Sequence, residues 1–170
     1  MENGLPALMI AAIMMLSTVL ISRGGFLGVD AISQQLKDSE VRYGQQNRTG
    51  LTVTDTSIDG TGANITITVR NDGATNVGDY AGMDIVVQYF DGGGTRYDKW
   101  IPYTSGALSS DTWTTGTFTT DVFEPGILNT GESMEILVRV NPVVGAGTTN
   151  RVIIGTDKGV TVSTYFSGPP

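Results

Sequence analysis

The sequence predicts an α+β protein, in which a long N-terminal hydrophobic α-helix precedes an antiparallel, immunoglobulin-like β-sandwich head. Three observations indicate this fold class. An uncharged apolar run occupies residues 5–21, the hydrophobic period changes to two after residue 48, and turn residues then separate eight short candidate strands. The change of period divides the 170-residue chain into a predicted assembly helix, residues 1–48, and a predicted β-sandwich head, residues 49–170.

The apolar run LPALMIAAIMMLSTVLI predicts the first part of the helix. Its seventeen residues would form a helix of about 26 Å, slightly short of a bilayer core of about 30 Å. Asn3 is the predicted N-cap, and Pro6 falls in the first turn, where its missing N–H is tolerated. We predict that this run packs in the core of an assembly through Leu5, Leu8, Met9, Ile10, Ile13, Met14, Leu16, Leu20 and Ile21.

Beyond the run, an amphipathic pattern extends the predicted helix to about residue 46. Ile32 and Leu36 recur at helical spacing among glutamine, lysine and aspartate residues. Because glycine costs about 1 kcal/mol relative to alanine in a helix, we predict a bend at Gly24, Gly25 and Gly28. A helix of this length cannot bury its apolar surface on a head of about 120 residues, so it requires lipid or copies of itself.

Alternation of apolar and polar residues predicts the strands of the head. In residues 64–70, Ile65, Ile67 and Val69 share one face, and residues 134–140 and 160–166 alternate in the same way. Turn signals such as Asp59-Gly60 and Pro125-Gly126 separate the strands. The further candidates are residues 51–58, 83–90, 95–103, 112–120 and 151–155.

Composition and charge exclude several classes of function. The chain has no cysteine and no histidine, which removes disulfides, thiol nucleophiles, serine–histidine triads and histidine-bound metals. Residues 51–170 carry six basic and thirteen acidic side chains, and such an acidic head disfavours nucleic-acid binding. The acidic pairs Asp91/Asp98 and Glu132/Glu135 have no accompanying nucleophile and base, so we predict no enzymatic activity, no cofactor and no metal site.

The flanks of the apolar run disagree with an ordinary signal anchor. The only charged residue before the run is Glu2, and the first charged residue after it is Arg23. By the positive-inside rule, this distribution of charge would leave the head in the cytoplasm. The head nevertheless looks extracellular, because it is acidic and rich in glycine and threonine, and candidate N-glycosylation sequons occur at Asn47 and Asn64. We therefore predict that a short basic leader was removed ahead of Met1. The alternative is a signal anchor whose basic flank lies elsewhere.

Four segments carry a resemblance to a known family: LPALMIAAIMMLSTVLI, FLGVDAISQQL, RTGLTVTDTSIDGTGANITITVRNDG and EPGILNTGESMEILVRV. They resemble the archaellins, the filament subunits of the archaeal rotary appendage, which belong to the type IV filament superfamily. The last segment is also similar to a segment of the related stator proteins. Two features depart from the superfamily pattern. No basic-plus-glycine cleavage site precedes the run, and Glu2 does not occupy the position at which pilins carry their assembly glutamate.

The resemblance implies a homopolymer of identical subunits, with hydrophobic helices bundled in the core and β-heads forming an outer sheath that often carries N-glycans. It also implies an extracellular filament, made with the help of a membrane platform and a leader peptidase.

Other interpretations stay open. A membrane-anchored stator-like or adhesive β-sandwich protein, or a pilin-like adhesion fibre subunit, would share the apolar run. A carbohydrate-binding module would use Trp100, Tyr97, Tyr103 and Trp113 as a stacking face, although packing between sheets or between neighbouring heads is the favoured interpretation of these aromatics. Residues 91–98 have the oxygen-rich composition of a calcium loop but lack its spacing, so we predict a hairpin turn there.

Overall fold

The structure is a computed structural model that describes residues 4–119, 121 and 123–170. The side chains of residues 4–7, 20–31 and 45 lie outside the described ones, and so do the positions of the predicted bend at Gly24, Gly25 and Gly28. The chain divides into two compact units, residues 1–43 and 44–170. Helix α1 comprises Gly4–Arg48, 45 residues. Among the described residues, no helical segment combines the length and the apolar character that a membrane span requires.

The head consists of strands at the positions where the sequence alternates. A 3₁₀ turn at Tyr80–Gly82, capped by the Asp79 carboxylate, is an additional short helix that the alternation does not predict. The predicted strand over residues 95–103 is shorter in the structure, because Pro102 follows it and the next residue, Tyr103, bridges to Trp113 instead. The strands are β1 Leu51–Ile58, β2 Asn64–Asn71, β3 Asp84–Phe90, β4 Arg96–Ile101, β5 Thr112–Thr119, β6 Ser133–Arg139, β7 Thr149–Gly155 and β8 Thr161–Ser167.

The strands form two four-stranded sheets in which every pair is antiparallel. Sheet I has the order β1-β2-β6-β5, and sheet II has the order β4-β3-β7-β8. The prediction of an α+β chain with an N-terminal helix and two antiparallel sheets is therefore confirmed. The finer immunoglobulin-like assignment belongs to the proposal below.

The core lies between the inner faces of the two sheets. The period of two places every second residue of a strand on one face, and in β2 the inward residues Ile65, Ile67 and Val69 are at most 1% exposed. In β6 the predicted inward residues Met134, Ile136 and Val138 are completely buried. Sheet II contributes fully buried aliphatic residues to the same core: Ile85, Val87, Ile101, Val152 and Ile154.

The sandwich has two distinct ends, defined by its backbone contacts. At the proximal end the last helical turn, residues 44–48, enters β1, and the side-chain amide of Gln46 donates to the carbonyl of Gly159 in the β7–β8 turn. At the distal end the amide of Val144 donates to the carbonyl of Gly62, and Gly145 donates to the carbonyl of Phe90. The β5–β6 connection lies at the proximal end, because it joins strand ends that pair beside the start of β1.

The passage from helix to sheet is bound tightly to the loop that follows β2. The carbonyl of Arg48 accepts from the amide of Ala74 at 2.6 Å, and the carbonyl of Gly50 accepts from Asp72 and Gly73 at 3.1 and 3.2 Å. Both glycines are needed for this approach, since a Cβ atom at Gly73 would lie 2.1 Å from the nitrogen of Gly50. The loop is held in turn by the fully buried Asn71, whose side-chain amide donates to the carbonyl of Leu128.

The hairpin between β1 and β2 is organised by a single carboxylate. Asp59 Oδ1 accepts from the hydroxyl of Thr61 at 2.8 Å and from the backbone amides of Ala63 and Asn64. Asp59 Oδ2 accepts from the Asn64 side chain at 2.5 Å. Burial alone would raise the pKa of Asp59, but these hydrogen bonds outweigh it and lower the pKa to about 2.

We expect acid to destabilise the head partly through this turn. Because the folded pKa of Asp59 lies below its usual 3.8, the contribution is complete above pH 3.8 and is lost as the pH falls through about 2. Asp59→Asn should lower the free energy of unfolding at pH 7 by about 1–3 kcal/mol and flatten its decline between pH 4 and 2. Urea titrations across that range test this. Asp55→Asn, the same change at an exposed position of β1, is the control, and equal acid sensitivity of Asp59→Asn and the unaltered protein would contradict the account.

Candidate functional site

The most unusual surface of the chain is the first described part of α1, residues 8–19. Of the residues predicted to pack in an assembly core, Leu5, Leu20 and Ile21 have side chains outside the described ones. The others are exposed by 60–73% and are joined by two more large apolar residues, Met15 and Val19. The predicted residues in this set are Leu8, Met9, Ile10, Ile13, Met14 and Leu16. Together these side chains form a fully apolar surface that extends around the helix.

The polar side chains in this segment are satisfied within the helix itself. Ser17 Oγ donates to the carbonyl of Ile13 at 2.8 Å, and Thr18 Oγ1 donates to the carbonyl of Met14 at 2.8 Å. Residues 8–19 contain no other polar side chain and no charge. If this segment were transferred into a dry environment, both hydroxyls would keep their hydrogen-bond partners. The usual cost of burying an unpaired polar group would therefore not arise.

The second described part of α1 has a narrower apolar stripe. Ile32, Leu36 and Tyr43 are 59–67% exposed and recur at helical spacing, as the sequence predicts. Ser39, on the same stripe, donates its hydroxyl to the carbonyl of Gln35 at 2.8 Å. Polar and charged residues such as Gln35 and Lys37 occupy most of the remaining positions, with the exposed Val41 as an exception, so this part can contact a partner on one face and water on the other.

The four aromatics considered as a sugar-stacking face do not share a face. Trp113 is completely buried, and its ring packs 4.8 Å from that of Tyr103. Tyr97 points inward and stacks on Tyr89 at 5.3 Å between ring centroids. Only Trp100 is exposed, by 60%, because it alternates onto the outer face of β4. The favoured interpretation, packing between sheets, therefore applies to Trp113, Tyr103 and Tyr97.

Two buried tyrosines that the sequence did not single out complete this aromatic core. The Tyr80 hydroxyl lies 2.9 Å from the carbonyl of Gly126 and 3.1 Å from that of Val77. Burial raises the pKa of Tyr80 to about 12, and burial likewise raises the pKa of Tyr89 to about 12. Both hydroxyls therefore stay protonated at physiological pH, which fits a structural role rather than acid–base chemistry.

The acidic pairs have separate backbone and ion-pair contacts. Asp91 Oδ1 accepts from the amides of Gly93 and Thr95 at 2.8 Å each and closes the β3–β4 hairpin, as predicted for residues 91–98. Asp98 pairs with Arg96 at 3.0 Å on the outer face of β4. Glu132 Oε2 accepts from the amide of Asn129, and Glu135 Oε2 accepts from that of Thr117, so the two glutamates have separate partners. Among the described residues, no three acidic side chains converge as metal ligands would.

A partly exposed ion pair was not predicted from the sequence. Lys99 alternates onto the inner face of β4, where its ammonium pairs with Asp111 at 2.8 Å and also donates to the carbonyl of Asn141. The other carboxylate oxygen of Asp111 accepts from the amide of Asn141 at 3.0 Å. This pair ties the β5 entry to the end of β6. Only the inward position of a lysine in an alternating strand could have signalled it.

The two sequons differ in the freedom of their amides. The side chain of Asn47 is exposed in the last helical turn. The side chain of Asn64 is engaged through both of its polar atoms, since Nδ2 donates to Asp59 and Oδ1 accepts from Arg139 Nε at 2.9 Å. A glycan attached to the Asn64 nitrogen would displace a hydrogen bond of the β1–β2 hairpin, whereas one on Asn47 would displace none among the described contacts.

Comparisons with known proteins give structural likeness only. No protein-family model and no curated protein sequence matches the chain. The chain is similar to the archaeal flagellum of Methanospirillum hungatei, with a TM-score of 0.62 and 12% identity over 97% of this chain and 93% of that one.

Two further solved structures match the chain less extensively. The archaellum periplasmic stator protein FlaG from Sulfolobus acidocaldarius has a TM-score of 0.51 and 18% identity over 69% of this chain and 99% of that one. The archaeal flagellin FlaB1 from Methanocaldococcus jannaschii has a TM-score of 0.53 and 14% identity over 71% of this chain and 90% of that one. At these identities the likeness shows a shared fold with archaellum components.

Proposed function

We propose that the chain is a structural subunit of an extracellular, archaellum-like helical filament, which polymerises through α1. The observation that carries this proposal is the surface of residues 8–19, whose eight large apolar side chains are at least 60% exposed and whose hydroxyls are bonded internally. Burying each such side chain stabilises by about 1.5–3 kcal/mol, so the eight together contribute roughly 12–24 kcal/mol, against the roughly 4–15 kcal/mol lost when a subunit is immobilised.

The likeness to solved structures supports the same proposal. The match to the Methanospirillum hungatei flagellum covers nearly the whole chain and so includes α1, whereas the match to FlaG covers 69% of it. In this proposal the partners are identical subunits, a membrane platform and a leader peptidase during assembly. The heads, immunoglobulin-like in topology, form the acidic outer sheath. The proposal includes no catalytic step.

A second candidate is a membrane-anchored, stator-like protein of the same machinery. The match to FlaG covers 99% of that stator protein and 69% of this chain at a TM-score of 0.51, which supports this candidate. Both candidates place the head outside the cytoplasm, and they differ in whether residues 8–19 contact lipid or neighbouring copies.

Electron microscopy of material sheared from the producing cells distinguishes the two candidates. The filament proposal expects uniform thin fibres built from an 18.0 kDa band. N-terminal sequencing of that band as Met-Glu-Asn-Gly-Leu would show that the chain in the fibre starts at Met1. Recovery of the protein only in the detergent-soluble membrane fraction, without fibres, would reject the filament and support the anchored alternative.

We expect any N-linked glycan on the natural protein to occupy Asn47 and not Asn64. The reason is the engagement of the Asn64 amide with Asp59 and Arg139, described above. Glycopeptide mass spectrometry should place the modification on the peptide containing Asn47, and Asn47→Gln should remove it. A glycan found on Asn64 at high occupancy would show that the β1–β2 hairpin opens before or during modification.

A further inference from the structure

The outer face of sheet II carries a groove at its distal end, which no function discussed so far explains. The groove has a volume of about 190 Å³, and its lining from four strands includes two aromatic side chains, Phe90 and Tyr165, two arginines, Arg96 and Arg151, and the neutral Gln88. Tyr165 is 68% exposed and Phe90 is 38% exposed. A groove with aromatic walls and arginine side chains suits an aromatic group that is accompanied by a carboxylate.

Arg151 is the cation in this groove that has no acidic partner. Its guanidinium lies 5.8 Å from the centroid of the Tyr165 ring, and its Nη2 donates to Ser163 at 2.9 Å. No carboxylate among the described residues forms an ion pair with it, although the other groove arginine, Arg96, pairs with Asp98. The head has thirteen acidic and six basic side chains, so an arginine without an acidic partner among the described residues is well suited to bind a carboxylate of another molecule.

The same chain presents a matching element on the β5–β6 connection. Phe123 is 74% exposed, more than any other aromatic residue described, and Glu124 follows it. Residues 123–129 of the connection are held in place, since Asn129 donates to the carbonyl of Phe123 and the amide of Ile127 donates to the carbonyl of Glu124 at 3.1 Å. The side-chain amide of Asn76 also donates to Glu124 Oε2, at 3.3 Å on the exposed surface, and an arginine would have to compete with this contact. Phe123 and Glu124, called the knob below, are thus preorganised for contact, which reduces the entropy lost on binding.

The knob and the groove lie at opposite ends of the head. The β5–β6 connection is proximal, and the groove is formed at the distal end, where Phe90 pairs with Arg96 and Arg151 pairs with Tyr165. The knob therefore cannot fill the groove of its own head. A contact between two different patches of the same chain is heterologous, and repetition of such a contact gives an open chain of subunits rather than a closed dimer.

We propose that the groove receives the knob of a second copy of this chain, with Phe123 between Phe90 and Tyr165 and the Glu124 carboxylate on Arg151. The inference deepens the proposed function and rests on it, because a contact of this size is smaller than the roughly 1,000 Å² expected of a stable free interface. Assembly of the helices would supply the high local concentration at which such a contact forms.

Disulfide trapping tests the contact in the full chain, and the absence of natural cysteine makes every thiol an introduced one. Cells producing the double variant Pro125→Cys/Gln88→Cys, which keeps Phe123 and Glu124 and places the thiol on the exposed residue next to them, are oxidised mildly, and the protein is separated without reductant. We expect a ladder of covalent multimers, because each copy offers one knob and one groove. The control Pro125→Cys/Trp100→Cys uses a residue more exposed than Gln88 on the same sheet face but toward its proximal end, and it should give no ladder.

The possible results separate this inference from the filament proposal. Fibres without a ladder, or with equal ladders in both pairs, would reject the knob contact and leave the filament standing. A ladder without fibres would support the contact and reject the filament, and the absence of both would reject both.

Charge reversal provides a second, independent readout. Glu124→Arg and Arg151→Glu should each lower the temperature at which isolated fibres fall apart, and the double reversal should restore it. Head folding, followed by circular dichroism, should be unchanged in all three variants. Losses that add in the double variant would contradict the pairing of these two residues.

Discussion

Ile13→Asp is expected to abolish fibres while the head stays folded. Ile13 is 62% exposed in the single chain, at the centre of the apolar segment 8–19. In a helix bundle its side chain would be surrounded by neighbouring copies, and a carboxylate there would be unpaired in a dry environment. The cost is about 3–5 kcal/mol per subunit, and it recurs in every subunit of the polymer. Electron microscopy of sheared material and the melting curve of the β-sheet signal measure the two effects separately.

Two matched changes make this result interpretable. Ile13→Leu conserves the volume and the apolar character of the side chain and should leave fibres intact. Thr52→Asp adds the same charge to an exposed position of β1 and should also leave them intact. Normal fibres from Ile13→Asp would show that residues 8–19 do not form the core of the assembly, and the packing account would then be wrong.

Trp113→Ala is expected to lower the free energy of unfolding of the head by about 3–5 kcal/mol. The Trp113 side chain is completely buried and packs against Tyr103 between the two sheets. Its indole nitrogen has no hydrogen-bond partner among the described residues, so the loss is one of packing alone. Denaturant titrations followed by the circular dichroism of the sheets measure it.

The chain offers its own control, because it contains only two tryptophans. Trp100 is 60% exposed, and its indole nitrogen donates to Asp84 at 2.9 Å. Trp100→Ala should cost less than about 1 kcal/mol and should leave Trp113 as the only indole, with the emission of a buried ring. Similar costs for the two replacements would contradict the placement of Trp113 in the core.

The strands of the head were predictable because their signal is local. Residues 51–58 form β1 with the predicted bounds, although a register shift between Val53 and Asp55 interrupts the alternation. Irregularities within the strands were not predictable. The register shifts between Thr115 and Phe118 in β5, where Gly116 allows close approach to Glu135 of β6. Such a bulge depends on the partner strand, which the sequence of β5 does not specify.

The surfaces that suggest function were predictable only in part. The apolar residues of segment 8–19 are contiguous in the sequence, so the candidate assembly surface could be predicted. The groove could not, since Phe90, Arg151 and Tyr165 come from strands whose neighbours are set by the sheet order β4-β3-β7-β8. The alternative interpretation of the four aromatics, a sugar-stacking face, is not supported for a similar reason. Alternation along β4 places Trp100 on the outer face and Tyr97 on the inner face. The four aromatics were grouped by residue type, without regard to this alternation.

The tight passage between helix and sheet has a mechanical consequence. Three backbone hydrogen bonds lie side by side where the chain leaves Arg48, and the loop they grip is anchored by the buried Asn71. A force applied to the last helical turn would load these three hydrogen bonds in parallel and would be transmitted to β2. No flexible segment between the helix and these bonds would have to extend first. Within residues 44–170 the chain is therefore stiff at the point where force would enter it. Strain applied at the last helical turn would therefore be delivered to the sheets instead of being absorbed in a hinge.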